Sequence, residues 1–302
     1  MNSMLLKRLQ YIETLAKGSR WQRLWHNPSR YLPVLLHQKL IYPFTKREWR
    51  TIATTFFDVN MMVALPSASE LVLLGAKVHD SELRLTRFML QYLKPDNIVA
   101  DIGAHFGFYT LLAAYLVGDR GKVLAFEASP KVFEVLEENV RAFPQIEAKH
   151  NAVSDATGMI SFYEFPTYYS EYNTLSPQQF EQSDWFHKIP HQRVEVPAIC
   201  LDDFLIEKSV APDFIKIDVE GAEYQVIKGI AQFLQNDAPI IAMEFLAMKR
   251  GNEAHQQALD MLRSLGYRSF YIDSTGNLQD CKDVEAYLVA QGLDSDNLVF
   301  VK

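Results

Sequence analysis

Two cysteines, Cys200 and Cys281, are all that 302 residues contain. Neither a disulfide framework nor a cysteine zinc cluster can be built from them, and each thiol reads as a small buried apolar group in a reducing compartment. Nowhere does an apolar run reach the roughly 18 residues of a membrane-spanning helix. The opening MNSMLLKRLQ lacks the apolar centre of a secretory signal, which predicts a cytoplasmic protein. Internal repeats, low-complexity tracts and His pairs at metal-ligand spacing are missing too. With 48% hydrophobic and 22% charged residues the chain can still bury a full core.

One absence is specific. Asn97 to Glu127, NIVADIGAHFGFYTLLAAYLVGDRGKVLAFE, reads as strand, glycine turn, helix and second strand. A dinucleotide fingerprint started at Gly103 needs glycines at 105 and 108, where the chain has His105 and Phe108. A pyrophosphate therefore cannot lie against this turn as it does in nicotinamide enzymes. The pattern Asp101-x-Gly103-x-x-x-Gly107 instead suits S-adenosylmethionine, whose ammonium Asp101 or the nearby loop can receive. Glu127, 24 residues after Gly103, stands where a doubly wound sheet places the carboxylate for a ribose diol. A glycine turn kept only for packing, and an NAD(P)-dependent oxidoreductase, are the competing explanations.

Pro212 to Gly229, PDFIKIDVEGAEYQVIKG, predicts another buried strand with Asp218, Glu220 and Glu223 at its exit. Ligands of open α/β sheets bind at the carboxyl ends of strands, so these acids should share a crevice with Asp101 and Glu127. Glu223 is adequately explained by the positive end of a helix; Asp218 is not.

Charge is unevenly spread. Residues 1–50 hold ten basic side chains against Glu13 and Glu48, a net of +8, which leaves −15 for the other 252 residues of a chain whose total is −7. Trp21, Trp25, Tyr31, Tyr42 and Trp49 interleave with the basic residues. Such a mixture suits anionic headgroups or a lipid-linked substrate, or else helices packed on the catalytic part with buried aromatics and solvated charges. Nucleic acid is disfavoured, because the acidic remainder repels phosphate.

Elsewhere the pattern predicts a strand pair over Asp58 to Val78, helices over about Ser81–Leu93, from Pro130, and over Ala254–Leu265, and last strands at Tyr267–Ile272 and Leu298–Val301 as a hairpin with an antiparallel edge. Strands alternating with helices argue for a doubly wound, mainly parallel Rossmann-like α/β sheet. The extension is placed at residues 1–55 and the catalytic domain at residues 56–302. Residues 159–199 interrupt the alternation with strand-like ends, ISFYEF and RVEVPAI, around an aromatic loop that reads as an acceptor wall, a lid or a dimer contact.

The segments VADIGAHFGFYTLLAA, GKVLAFEASPKVFEVLEENV, NAVSDATG, LDDFL, DFIKIDVEGAEYQVIKG and IIAMEF, in that order, resemble the FkbM-type methyltransferases, S-adenosylmethionine-dependent O-methyltransferases. His105 departs from the asparagine usual there. The resemblance implies a class I methyltransferase fold, with S-adenosylmethionine held by Asp101, Gly103, His105, Gly107, Glu127, Ser154 and Asp155. Asp218, Glu220 and Glu244 are the catalytic candidates, Asp218 first as the base. A divalent ion such as magnesium on the same acids is the rival account, and no metal ligands are assigned. Tyr168, Tyr172, Asn173, Thr174 and Trp185 are the acceptor candidates. The expected acceptor is a hydroxyl of a sugar, glycan, glycolipid or polyketide, and a homo-oligomer and peripheral membrane contact stay open. A non-catalytic cofactor-binding module is the last alternative.

Overall fold

The computed structural model describes residues 2–175 and 186–302, apart from the side chains of Arg20, His26 and His187. The strands are β1 (Trp49–Thr54), β2 (Asn60–Leu65), β3 (Ile98–Ile102), β4 (Lys122–Phe126), β5 (Ile146–Lys149), β6 (Ala152–Ser154), β7 (Gly158–Glu164), β8 (Gln192–Cys200), β9 (Phe214–Ile217), β10 (Ile240–Leu246), β11 (Arg268–Ile272), β12 (Leu278–Asp280) and β13 (Ser295–Val301). The central sheet runs β12-β11-β13-β10-β9-β3-β4-β5. From β5 to β10 all neighbours are parallel, while β13 is antiparallel to both β10 and β11. This is the doubly wound α/β sheet expected from the alternation.

Side-chain alternation divides the core between two faces. Val99, Val123, Ala125 and Phe214 pack under the helices Asp80–Tyr92 and Phe108–Val117. Ala100, Ile102, Leu124, Phe126, Ile215 and Ile217 pack on the other face with Leu201, Val226 and Leu259. Burial on both faces is why β3, β4 and β9 read as nearly unbroken apolar runs. The same alternation puts Asp101 and Lys216 on the first face, and they are direct register partners on adjacent strands. Two charges are thereby forced together inside the core.

Asp58 to Val78 does not form a strand pair. β2 pairs instead with β1, inside the predicted extension, and Ser69–Leu74 is a helix closed by Gly75 in the left-handed conformation. Local bonds, with the Gly75 N–H reaching Leu71 O at 2.9 Å, displace a second strand once β1 has taken the pairing edge. At the far end, β11 and β13 do pair antiparallel, but the edge is β12 and β13 lies inside the sheet. The first helix, Asn2–Lys17, buries Leu5, Leu9 and Ile12 in the same core cluster as the catalytic strands, and its Glu13 pairs with Arg87.

Within residues 159–199 the strand-like ends pair as β7 and β8, which with β6 make a separate three-stranded sheet. Thr167–Tyr172 is a short helical turn. The chain returns to β7 through a bridge between Tyr163 and Thr174.

Candidate active site

A cavity of about 600 Å³ opens at the carboxyl ends of β3, β4, β9 and β10, where an open α/β sheet binds its ligand. Gly103, His105 and Glu127 line one side; Asp218, Glu220 and Glu244 line the other. Tyr168, Tyr172 and Asn173 reach it from the insertion. Gln38 reaches it from the N-terminal helices, which the sequence pattern did not anticipate.

The turn after β3 spends its amides internally. Gly103 N and Ala104 N both donate to Phe126 O, at 3.0 and 2.9 Å, and Gly107 N donates to Ala104 O at 2.9 Å. His105 N donates to Glu127 Oε2 at 2.8 Å. A phosphate would find few N–H groups to hold it, so the cradle is missing for this reason as well as for want of a second glycine. Gly103 is required by proximity: φ is +78°, and a Cβ there would sit 1.8 Å from Asp218 O. The turn and the exit of β9 are thus in backbone contact, which couples the two sides of the cavity.

Glu127 is buried, with Oε2 on His105 N and Oε1 on Ser129 N, each at 2.8 Å. Burial pushes its carboxyl up to about 7, against the pull of the two amides. Each oxygen keeps a second lone pair, and the residue borders the cavity. His105 is driven down to about 3, first by burial and then by Lys77, so the ring is neutral; its Nε2 lies 2.9 Å from Ser170 Oγ. Ser129, as expected of a Ser-Pro start, caps the next helix by accepting from Val132 N.

Asp101 and Gly107 do not line the cavity. Asp101 lies beneath it, accepting from Thr110 Oγ1 at 2.6 Å and 3.5 Å from Lys216 Nζ. Gly107 starts the helix at φ +91°, where a Cβ would meet Leu136. Ser154 is buried and Asp155 pairs with Lys228 at 2.6 Å, both away from the cavity. Asn151 and Val153 border it instead, with Phe126 and Phe162. Thr174 is buried and its hydroxyl donates to Glu220 O, which fastens the insertion to the acid side rather than facing the cavity. Trp185 lies outside the described residues.

On the acid side, carboxylate oxygens of Asp218, Glu220 and Glu244 come within 4.8 Å of one another. Burial and the neighbouring Asp218 push Glu244 up to about 8. Burial, with Glu244 and Asp218 adding to it, holds Glu220 well above the ordinary range. Asp218 goes the other way: burial opposes its charge, but Lys216, at 3.3 Å, and Lys77 outweigh that and hold it low. Lys216 is itself raised, since Asp218 and Asp101 outweigh its burial. Glu223 turns away from the cavity to His255, 3.2 Å distant, and both are buried.

Lys216, Lys77, Arg250, Asn151 and Gln38 were not singled out from sequence. Lys216 left a signal, a lone charge inside the apolar strand FIKI. Arg250 also borders the cavity, where its charge acts on Glu220 and Asp294.

The methyltransferase FkbM domain model matches residues 101–269, more than half of the chain. The hexuronic acid methyltransferase AglP of Haloferax volcanii is 27% identical over 158 residues, covering 51% of this chain and 59% of that protein. Methyltransferase 1 of Beauveria bassiana is 27% identical over 147 residues, covering 45% and 59%. The chain thus spans about three fifths of the length of these curated relatives. A crystal structure of an FkbM methyltransferase from Methylobacillus flagellatus superposes with TM-score 0.42 at 16% identity, over 69% of this chain and 44% of that one. With its family-model match over more than half its length and its doubly wound sheet, the chain belongs to the methyltransferase FkbM domain family, a class I methyltransferase fold.

Proposed function

We propose that the protein is an S-adenosylmethionine-dependent O-methyltransferase acting on an acidic sugar, as part of a glycan or glycolipid. The observation that carries the cofactor choice is the turn at residues 103–107, whose amides bond inward and onto Glu127 while the cavity wall is rich in carboxylates. With its amides spent, the turn offers a pyrophosphate few donors, and Asp218, held ionised, suits a cation. Glu127 fits the ribose diol through its remaining lone pairs, and Asn151, Val153 and Phe162 fit the flat base beside it. When bound, S-adenosylmethionine supplies an electrophilic sulfonium methyl group for in-line displacement by an acceptor oxygen.

The residues of this chain supply position and proton affinity. Tyr168, Tyr172 and Asn173 border the space beside the acid trio and would align the acceptor, where holding reactants near contact is worth roughly 7 to 11 kcal/mol. Asp218, ionised beside Lys216, suits a hydrogen bond that orients the acceptor hydroxyl. Glu244 has the proton affinity near neutrality that general bases need. The proton-acceptor role therefore passes from Asp218, first choice by sequence, to Glu244. A divalent cation on the trio is the second account, favoured by three oxygen donors within 4.8 Å. The acidic-sugar assignment draws on Arg250, a guanidinium at the border of the cavity that can match a carboxylate, and on the hexuronic acid named for one relative.

Calorimetry should show binding of S-adenosylmethionine and S-adenosylhomocysteine and none of NAD. Formation of S-adenosylhomocysteine should be faster with glucuronosyl than with glucosyl acceptors, and Arg250→Ala should erase that preference. NAD binding would sink the cofactor assignment, and an unchanged preference in the variant would sink the acceptor assignment. Loss of turnover in EDTA, restored by magnesium, would put the cation in place of the simple base.

A further inference from the structure

The helical run from Pro28 to Thr45 is polarised in an unusual direction. Val34 and His37 are buried, and Gln38 borders the cavity, its amide donating to Ser69 Oγ at 2.5 Å. These positions recur at three and four residues and so share the inner side. The outer positions are Leu32, Leu35, Leu36, Leu40, Ile41 and Phe44, all exposed, Phe44 by 84%. A helix on a water-facing surface carries polar residues there. The preceding helix, Arg20–His26, adds Trp21 and Trp25, exposed by 69% and 76%. Single exposed apolar residues are ordinary, but a succession of them on one short stretch marks an interaction surface.

Its charge says what kind of partner it meets. Lys39, Lys46 and Arg47 are exposed, and none has a carboxylate partner among the described residues. They stand in the +8 segment of a chain whose remainder carries −15. Beside them a shallow groove is lined by Pro33, Leu36, His37, Ile41 and Trp49 together with Arg47 and Glu48. Tryptophan and phenylalanine among free basic side chains is the composition of a segment lying in a headgroup layer. Among the described residues no helix is long and apolar enough to cross a membrane, so the contact is with the surface.

We propose that residues 20–47 dock the protein on an anionic lipid bilayer, with the outer side of this run in the headgroup layer. Gln38, on the inner side of the same run, borders the catalytic cavity, so the docked protein would hold its cavity beside the bilayer, where a lipid-linked sugar acceptor lies. The acceptor part rests on the function proposed above; the docking does not.

Full-length protein should cosediment with vesicles of phosphatidylcholine containing phosphatidylglycerol and much less with phosphatidylcholine alone, and salt should weaken the binding, because exposed charges are screened within about 8 Å at physiological ionic strength. The pair Lys46→Gln and Arg47→Gln should reduce partitioning about thirtyfold, as expected for two surface cations. The pair Trp25→Ser and Phe44→Ser should also reduce it, while S-adenosylhomocysteine affinity stays unchanged in both, which reports an intact fold. No binding by the intact protein, or binding by both variants equal to that of the intact protein, overturns the proposal. So does a dimer in sedimentation velocity that the same substitutions dissociate, since a second copy would then cover the surface. Vesicle binding without any methyl transfer would sustain the docking and reject the function; methyl transfer without vesicle binding would do the reverse.

Discussion

At the ends of β3 and β4 the carboxylate of Glu127 has two backbone amides on it, one per oxygen, whereas at the ends of β9 and β10 three carboxylates crowd one another, with Lys216 against Asp218. Burial raises Glu127 and Glu244 alike, to about 7 and about 8. The surroundings differ. Glu127 is a pre-oriented acceptor whose position is fixed by the fold, suited to recognition. The trio is a reservoir of proton affinity held together against repulsion, suited to chemistry or to a cation. Burial alone therefore does not assign a role to an acid; what occupies its lone pairs does.

The largest expected effect breaks the acid side and leaves the other intact. Glu244→Gln and Asp218→Asn should each lower kcat by about 10²- to 10⁴-fold, the usual worth of general acid–base help, with S-adenosylmethionine affinity unchanged by calorimetry. If the affinity collapses too, the two sides are not separable in function. The converse substitution, Glu127→Ala, should weaken cofactor binding by roughly 1.5 to 3 kcal/mol, about 10- to 150-fold, and leave the acceptor KM alone. An acceptor KM that moves with it would merge the two sides.

The smallest effect is a pH dependence that both sides share. Glu127 and Glu244 keep their protons in the folded chain up to about 7 and about 8, while in the unfolded chain they ionise near 4.5. The folded state then binds more protons across that window, so stability should fall as pH rises from about 4.5 to 8. Melting temperatures recorded from pH 5 to 9 should show this decline, reduced in Glu127→Gln over its lower part and in Glu244→Gln up to its top. Turnover should rise with pH through about 8 as Glu244 ionises, and Glu244→Gln should abolish that rise. A rise that survives in this variant would return the base to Asp218.

Part of this site is visible in one dimension. Asp218 follows an apolar strand, Glu127 closes the next unit, and the missing glycines at 105 and 108 tell against a pyrophosphate without any coordinates. The periods of the buried strands and helices are equally local, since a strand buried on both faces must be apolar throughout and a helix must repeat at three and four. What stayed hidden depends on partners far away in the chain. Ser154 and Asp155 sit in a segment that resembles the family, yet Asp155 is drawn off to Lys228. The apolar letters of Ser69–Leu74 fit a strand as well as a helix, and the pairing of β2 with β1 decides between them.

The sequence by itself determined the alternation of strands and helices, the acids at the strand ends and the imbalance of charge between the first fifty residues and the rest. These follow from periodicity and composition, which need no neighbour to be read. Only the tertiary structure decided that Asp101 lies under Lys216, that Thr174 ties the insertion to Glu220, that Gln38 borders the cavity, and that Trp21, Trp25 and Phe44 face outward while Leu5, Leu9 and Ile12 face inward. Sheet register and helix docking set these contacts, and the pattern of one segment carries no information about which side its distant partner will cover.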